Sequence, residues 1–213
     1  MRFTDYPVGT GASVPEEFIS DWVNAPAGAQ TIILWDSVHD GELRTIKSDL
    51  LARTVAVEFA VPYLFSFHGL PDNLAFTFLL HSVESVRAFR HSLWPGGCEI
   101  PDGSSYEEQQ RLEAEYRRKW REESESWDKF ERAVAEDDEA ELTDGDLLHG
   151  PNGGVALRLG VQMGNGEWYE VFLRAEALTI SRSDQERLEF DEFLELGNAY
   201  WEAFASRKLR TQR

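Results

Sequence analysis

The residues with the clearest chemical potential lie within residues 35–42, where one imidazole stands among three carboxylates: Asp36, His39, Asp40 and Glu42. Imidazole and carboxylate ligands suit zinc, iron or manganese. A histidine beside a carboxylate can also serve as a general base. The alternative interpretation is a polar turn that closes a hairpin, since Asp40-Gly41 is a typical turn dipeptide. The sequence holds no second histidine-rich cluster to complete a metal site, and this favours the turn.

The remaining histidines and the cysteine stand apart from one another in the sequence. Cys98 is the only cysteine, which excludes an intrachain disulfide, and nothing places a base beside its thiol. We interpret the other histidines as structural or surface residues. No phosphate-binding glycine loop, nucleophile elbow or zinc-protease motif is present. We therefore predict no catalytic residue, no metal ligand and no cofactor, and keep residues 36–42 as an alternative polar site.

The chain is strongly acidic, with 39 Asp and Glu residues against 21 Lys and Arg residues and a net charge of -18. About half of this excess lies in residues 105–146. Such a surface repels nucleic-acid phosphates and anionic lipids, so we expect neither nucleic acid nor a membrane as partner. It attracts basic proteins, although many acidic proteins gain only solubility from their charge.

Composition indicates a folded protein. Hydrophobic residues make up 42% of the chain, with 7 Trp and 13 Phe, whereas disordered chains are poor in aromatic residues. The first residues form no apolar signal sequence, and no run approaches the ~18 apolar residues that span a membrane. We expect a cytoplasmic protein with a single domain over residues 1–213.

Two blocks of short apolar segments, residues 30–91 and 155–190, have the alternation and turn signals of antiparallel strands. Gly164-Asn165-Gly166 predicts a tight hairpin turn between residues 155–163 and 167–174. Residues 13–24 predict a first helix, residues 145–154 a loop, and residues 191–207 a C-terminal helix whose aromatic stripe packs on the sheet. The predicted fold class is α+β: an antiparallel β-sandwich or curved sheet with a long inserted helix and a C-terminal helix.

The charged segment, residues 105–146, is predicted to be the helical insertion, with its helix running from about Ser105 to Glu136. Tyr116, Trp120, Trp127 and Phe130 recur at helical spacing and form one apolar stripe. Because Trp and Tyr are enriched at binding hot spots, these four residues are candidates for contact with a partner. The stripe can equally pack against the protein's own sheet or against a second copy in a homodimer.

Several segments of the first strand block resemble the all-β immunity-like proteins of bacterial toxin systems and related uncharacterised bacterial proteins. The similarity covers residues 30–90 and comprises Trp35-Asp36-Ser37 through Leu43, Ser48-Asp49, residues 53–59, Phe76-x-Phe78 and Val83-x-Ser85-Val86. Its motifs are sheet-forming patterns. The resemblance implies a protein that is not an enzyme and that binds another protein.

Three functional hypotheses follow from these observations. The first is a non-enzymatic, acidic, immunity-like protein that binds a basic protein. The second is a small metal- or ligand-dependent enzyme, or a ligand-binding domain, that uses residues 36–42. The third is a structural homo-oligomer whose inserted helix forms the interface. The charge and the absence of catalytic motifs place the binding protein first.

Overall fold

The computed structural model describes residues 30–91, 101, 103–105, 108, 111–112, 124–150, 154–184 and 187–211. Within these residues the chain forms eleven strands and four helices. The strands are β1 (Gln30–Ile33), β2 (Gly41–Asp49), β3 (Thr54–Ala60), β4 (Phe76–His81), β5 (Ser85–His91), β6 (Ser124–Glu125), β7 (Glu141–His149), β8 (Val155–Gln162), β9 (Trp168–Ala175), β10 (Ala177–Arg182) and β11 (Arg187–Leu188). The helices are α1 (Trp35–Val38), α2 (Pro62–His68), α3 (Trp127–Glu136) and α4 (Phe190–Thr211).

All the strand pairs of the described residues are antiparallel and belong to one open sheet. Its order is β11-β10-β4-β3-β2-β7-β8-β9-β5-β6, and β1 pairs with β7 beside this path. The contact between β2 and β7 is only two residue pairs long, Gly41 with Leu142 and Glu42 with Glu141. The antiparallel α+β fold and the C-terminal helix are confirmed.

The sheet bends where β4 passes into β5 and β9 passes into β10. The ladder between β4 and β10 ends at His81 opposite Ala177, and the ladder between β5 and β9 resumes at Ser85 opposite Arg174. Ser82, at the bend, has a φ of 52°, which a non-glycine residue seldom adopts. The bend allows side chains from both halves of the sheet to form a single core cluster.

One aromatic group fills much of the core beneath the C-terminal helix. Phe59, Phe76, Phe78 and Phe193 are fully buried, and their rings contact one another in edge-to-face or tilted geometry. The predicted hairpin is also confirmed, since β8 and β9 pair along their whole length and Gly166 has a φ of 84°. Both strands are buried at nearly every position, so they contribute to packing on both of their faces.

The charged segment differs from its prediction at two places. Ser124–Glu125 is a short strand paired with β5, so the helix that ends at Glu136 begins only at Trp127. The predicted loop at residues 145–154 is also wrong over its first half, because residues 141–149 form β7. Pairing with β8 stabilises this strand, whose apolar side chains and one acidic side chain, that of Asp146, are buried.

A second helix lies inside the block that was predicted to hold strands alone. Pro62 occupies the first turn of α2, where a missing N–H costs nothing, and Gly69 ends the helix with a φ of 66°. These two residues are the local signals of the helix.

Among the described residues, no helix has both the length and the apolar character that crossing a bilayer requires.

Candidate functional site

The candidate site lies where α4 crosses α1, close to the start of β2. The Leu34 N–H donates to the Gly145 carbonyl at 2.8 Å and ties α1 to β7. Gly197 allows α4 to approach closely, because a Cβ there would overlap the Asp36 carbonyl oxygen and the Ser37 hydroxyl. The Trp201 indole N–H donates to that same carbonyl at 3.0 Å. The helix crossing therefore fixes the position of the side chains around it.

Six aromatic side chains from α1, α2 and α4 meet at this crossing, and we call them the aromatic patch. They are Trp35, Tyr63, Phe67, Tyr200, Trp201 and Phe204. Ring centroids lie 4.8 Å apart for Trp35 and Trp201, and 4.6 Å apart for Tyr63 and Tyr200. Phe67 and Phe204 are 39% and 40% exposed. The predicted stripe of α4 thus packs partly on two helices instead of only on the sheet.

His39 is held at the edge of the aromatic patch by contacts to both of its ring nitrogens. Nδ1 lies 2.8 Å from the Thr143 carbonyl oxygen, which can only accept a hydrogen bond, so Nδ1 donates. Nε2 lies 3.3 Å from an Asp40 carboxylate oxygen, and the ring stacks on Trp35 at 4.4 Å. Because both nitrogens face acceptors, this geometry suits positioning of the loop better than proton transfer to a substrate.

Tyr63 joins α2 to the same loop. Its hydroxyl donates to the His39 carbonyl oxygen at 2.8 Å. Burial raises the pKa of the Tyr63 phenol well above its usual range, and the nearby carboxylate of Asp40 raises it further. The phenol is therefore protonated at physiological pH and acts as a hydrogen-bond donor, not as a base.

The four residues of the alternative polar site do not converge. Asp36 lies half-buried in α1, His39 is engaged as described, and Asp40 and Glu42 are exposed. Asp40 has a φ of 54°, consistent with the predicted turn. In the part of the chain that the structure describes, no group of three His, Cys, Asp or Glu side chains is arranged to hold a metal ion. The arrangement instead sets carboxylates beside aromatic rings.

The predicted partner-binding residues have different surroundings. Tyr116 and Trp120 lie outside the described residues. Phe130 is fully buried, 5.1 Å from the ring of Tyr169, so for Phe130 the structure supports packing against the protein's own sheet. Trp127 is half-buried, and its ring centroid lies 5.4 Å from that of Phe130 in tilted geometry. It lines a recess of about 170 Å³ together with Val83.

A buried ionic cluster on β7, β8 and β9 was not predicted from the sequence. Arg158 lies 2.8 Å from Asp146, 3.3 Å from Glu170 and 3.1 Å from Asp144. Burial raises the pKa of the Asp146 carboxyl, although the guanidinium of Arg158 acts in the opposite direction. The local signal was the spacing of Asp144 and Asp146, which places both acids on one face of a strand.

Comparison with known proteins provides no relative from which a function could be transferred. No protein-family model matches the chain. No curated protein matches it, and neither does any solved structure.

Proposed function

We propose that this protein is a non-enzymatic, immunity-like protein that binds a basic partner protein in the cytoplasm through the aromatic patch. The observation that carries the proposal is a cluster of six aromatic rings beside carboxylates, in which no ring is fully buried and those of Phe67 and Phe204 are exposed. Aromatic residues that remain partly exposed are typical of interface centres, because they bury a large area at a small entropic cost.

The chemistry of the aromatic patch matches arginine and lysine side chains. A guanidinium or ammonium group over the face of a tryptophan or tyrosine is attracted by the ring and gains ~0.5–2 kcal/mol. The Asp40 side chain is 64% exposed at the edge of the patch and supplies a negative charge to the same ligand. The net charge of -18 would also speed the approach of a basic partner.

The two alternatives have less support from the described residues. An enzyme built on residues 36–42 would need a ring nitrogen of His39 directed at a substrate, whereas both nitrogens face protein acceptors. A homo-oligomer held through the inserted helix would need an exposed aromatic stripe, whereas Phe130 is buried within the protomer. A measurement of molecular mass in solution tests the second alternative directly.

The test begins with the purified protein as bait in a lysate of the organism that makes it, at low and at high salt. Capture alone does not decide the question. The captured protein is therefore purified, and its affinity is measured by calorimetry for the wild type and for the double variant Phe67→Ser/Phe204→Ser. We expect a basic protein bound in a stoichiometric complex, weakened by salt and weakened at least about tenfold by the double variant, as for an interface hot spot.

A matched control removes two exposed apolar side chains elsewhere. Leu50 and Leu51, which are 86% and 100% exposed, occupy the turn between β2 and β3, outside the aromatic patch. Leu50→Ser/Leu51→Ser should bind as the wild type does. Equal affinities for the patch variant and this control would rule out the aromatic patch as the binding surface, and the absence of any basic partner would rule out the function itself.

A further inference from the structure

A cleft of about 320 Å³ lies between the two halves of the sheet, next to the start of α4. One side is formed by β1, β7 and β8, and the other by β10, β11 and the first residues of α4. None of the aromatic-patch residues is among the described residues that line it. The cleft is therefore a second concave site, separate from the surface proposed above.

The apolar contact area that a ligand can reach in the cleft is small. Leu147 and Ile180 are only 1% and 3% exposed, so they support the walls without offering much surface. Ile32, Leu178 and Phe190 are half-buried and remain accessible. These three side chains suit a short apolar chain, and the ring of Phe190 has a negative face that attracts a cation.

The charged side chains of the cleft leave two carboxylates unsatisfied. Arg187, Glu189 and Asp191 are all exposed and all line the cleft. Neither carboxylate has a hydrogen-bond or ion-pair partner among the described residues, and Arg187 does not neutralise them. The positive end of α4 already faces another carboxylate, because Glu192 accepts a hydrogen bond from the Glu189 N–H at 3.2 Å. The three charged groups of the cleft therefore leave an excess of one negative charge.

We propose that this cleft binds a small organic cation, with one ammonium group on a short apolar chain. The ammonium group lies beside the carboxylates of Glu189 and Asp191 and against the ring of Phe190, which stands between them in the sequence. The apolar chain contacts Ile32 and Leu178. One positive charge balances the excess of the cleft, and a few polar groups beside apolar contacts are the usual composition of a small-molecule site.

Other ligand classes fit these groups less well. An anion would be repelled by both carboxylates and by the net charge of -18. An uncharged molecule would leave both carboxylates unpaired. A bare metal ion would leave the accessible apolar side chains uncovered, and no group of three metal-binding side chains occurs among the described residues. The proposal does not depend on the function proposed above, since the two sites share none of the described residues that form them.

The experiment uses the full chain with labelled isoleucine, leucine and valine methyl groups, titrated with hexylamine and followed by NMR. The buffer contains about 0.1 M potassium chloride, which screens attraction to distant charges. We expect saturable shifts at the methyl groups of Ile32 and Leu178 and none at Leu50 or Leu51 on the distant turn. Hexanol, hexanoate and methylamine, titrated in the same way, should all bind more weakly than hexylamine.

A pair of variants separates the cleft from the overall charge of the chain. Glu189→Gln/Asp191→Asn should weaken the binding of hexylamine about fivefold or more, because two ion pairs at an accessible site are lost. Glu195→Gln/Glu202→Gln removes the same charge from exposed positions of α4 that do not line the cleft. This control should change the affinity less than about twofold, because salt screens distant charges.

Each remaining outcome overturns a stated part of the proposal. Binding of hexanol or hexanoate as tight as that of hexylamine overturns the cationic group, and equal binding of methylamine overturns the apolar chain. Equal losses in the two double variants overturn the roles of Glu189 and Asp191. Absence of saturable shifts at Ile32 and Leu178 overturns the site itself.

Discussion

Arg158 lies among three carboxylates in a part of the sheet that solvent scarcely reaches. Its side chain is 3% exposed, and those of Asp146 and Glu170 are 1% and 2% exposed. One guanidinium thus faces more negative charge than it can neutralise. Removing charges from water is costly, so such a cluster persists only when its hydrogen bonds and ion pairs compensate for the lost solvation.

Replacement of Arg158 should therefore be severe. Arg158→Met leaves the carboxylates of Asp146 and Glu170 buried without their cation, and we expect a loss of about 3–5 kcal/mol in the free energy of unfolding. Urea denaturation measures this loss. Lys129→Met is the matched control: the Lys129 side chain is 68% exposed in its ion pair with Glu125. That loss should be below about 1 kcal/mol. Equal, small losses in the two variants would contradict a buried ionic cluster.

The raised pKa of Asp146 predicts a pH dependence with a definite sign. A carboxyl whose pKa rises on folding above its ordinary value of 3.8 binds its proton more tightly in the folded state. Its contribution to stability is fully present below about pH 3.8 and is lost as the pH rises through the raised pKa. We expect the stability of the wild type relative to Asp146→Asn to fall across this window, measured by urea denaturation at successive pH values.

The opposite pH dependence would contradict a raised pKa of Asp146. If the wild type gains stability relative to Asp146→Asn as the pH rises, the attraction of Arg158 outweighs burial and the pKa of Asp146 is lowered on folding.

At the scale of elements, the crossing of α1 and α4 positions the aromatic patch. Gly197 faces the Asp36 carbonyl oxygen, to which Trp201 donates from a position four residues further along the same helix face. The His68 imidazole lies 2.9 Å from the Leu196 carbonyl oxygen and connects α2 to the same part of α4. Three helices therefore share one contact region. A change in the distance between α1 and α4 should displace all the rings of the aromatic patch.

Gly197→Ala tests this contact, because its effect on stability should have the opposite sign from the effect in an exposed helix. In an exposed helix this substitution stabilises by up to ~1 kcal/mol, because glycine is a poor helix former. At the crossing the added methyl group must displace α1, so we expect destabilisation of about 1–3 kcal/mol and a changed tryptophan fluorescence. Thermal or urea unfolding measures the loss of stability. Ser206→Ala, at an exposed position of the same helix, is the control and should change little. Stabilisation by Gly197→Ala would contradict the close approach.

At the scale of the whole molecule, the net charge of -18 opposes the compact state through mutual repulsion. Salt screens charges that lie more than about 10 Å apart at ~0.1 M. We expect the free energy of unfolding to rise as potassium chloride is added to a low-salt buffer, measured by urea denaturation. A protein with a balanced charge serves as the control and should show no such rise. A steady fall in stability with salt would mean that ion pairs, not repulsion, dominate the surface.

The sequence by itself determined the features that depend on local spacing and turn chemistry. Alternation and the Gly164-Asn165-Gly166 turn predicted the β8–β9 hairpin, and an aromatic stripe predicted the C-terminal helix. Composition determined the charge and the presence of a substantial core. These properties are carried by neighbouring residues, so a single chain shows them directly.

The tertiary structure alone decided which surface lies against each element. Residues 145–149 were predicted to belong to a loop, but they form part of a strand that pairs with β8, where Arg158 lies beside the buried Asp146. Phe130 is internal because Tyr169 lies against it, and Tyr200 packs on Tyr63 of a helix that the sequence analysis did not predict. Such partners are distant in sequence, so their contacts depend on how the bent sheet brings its two halves together.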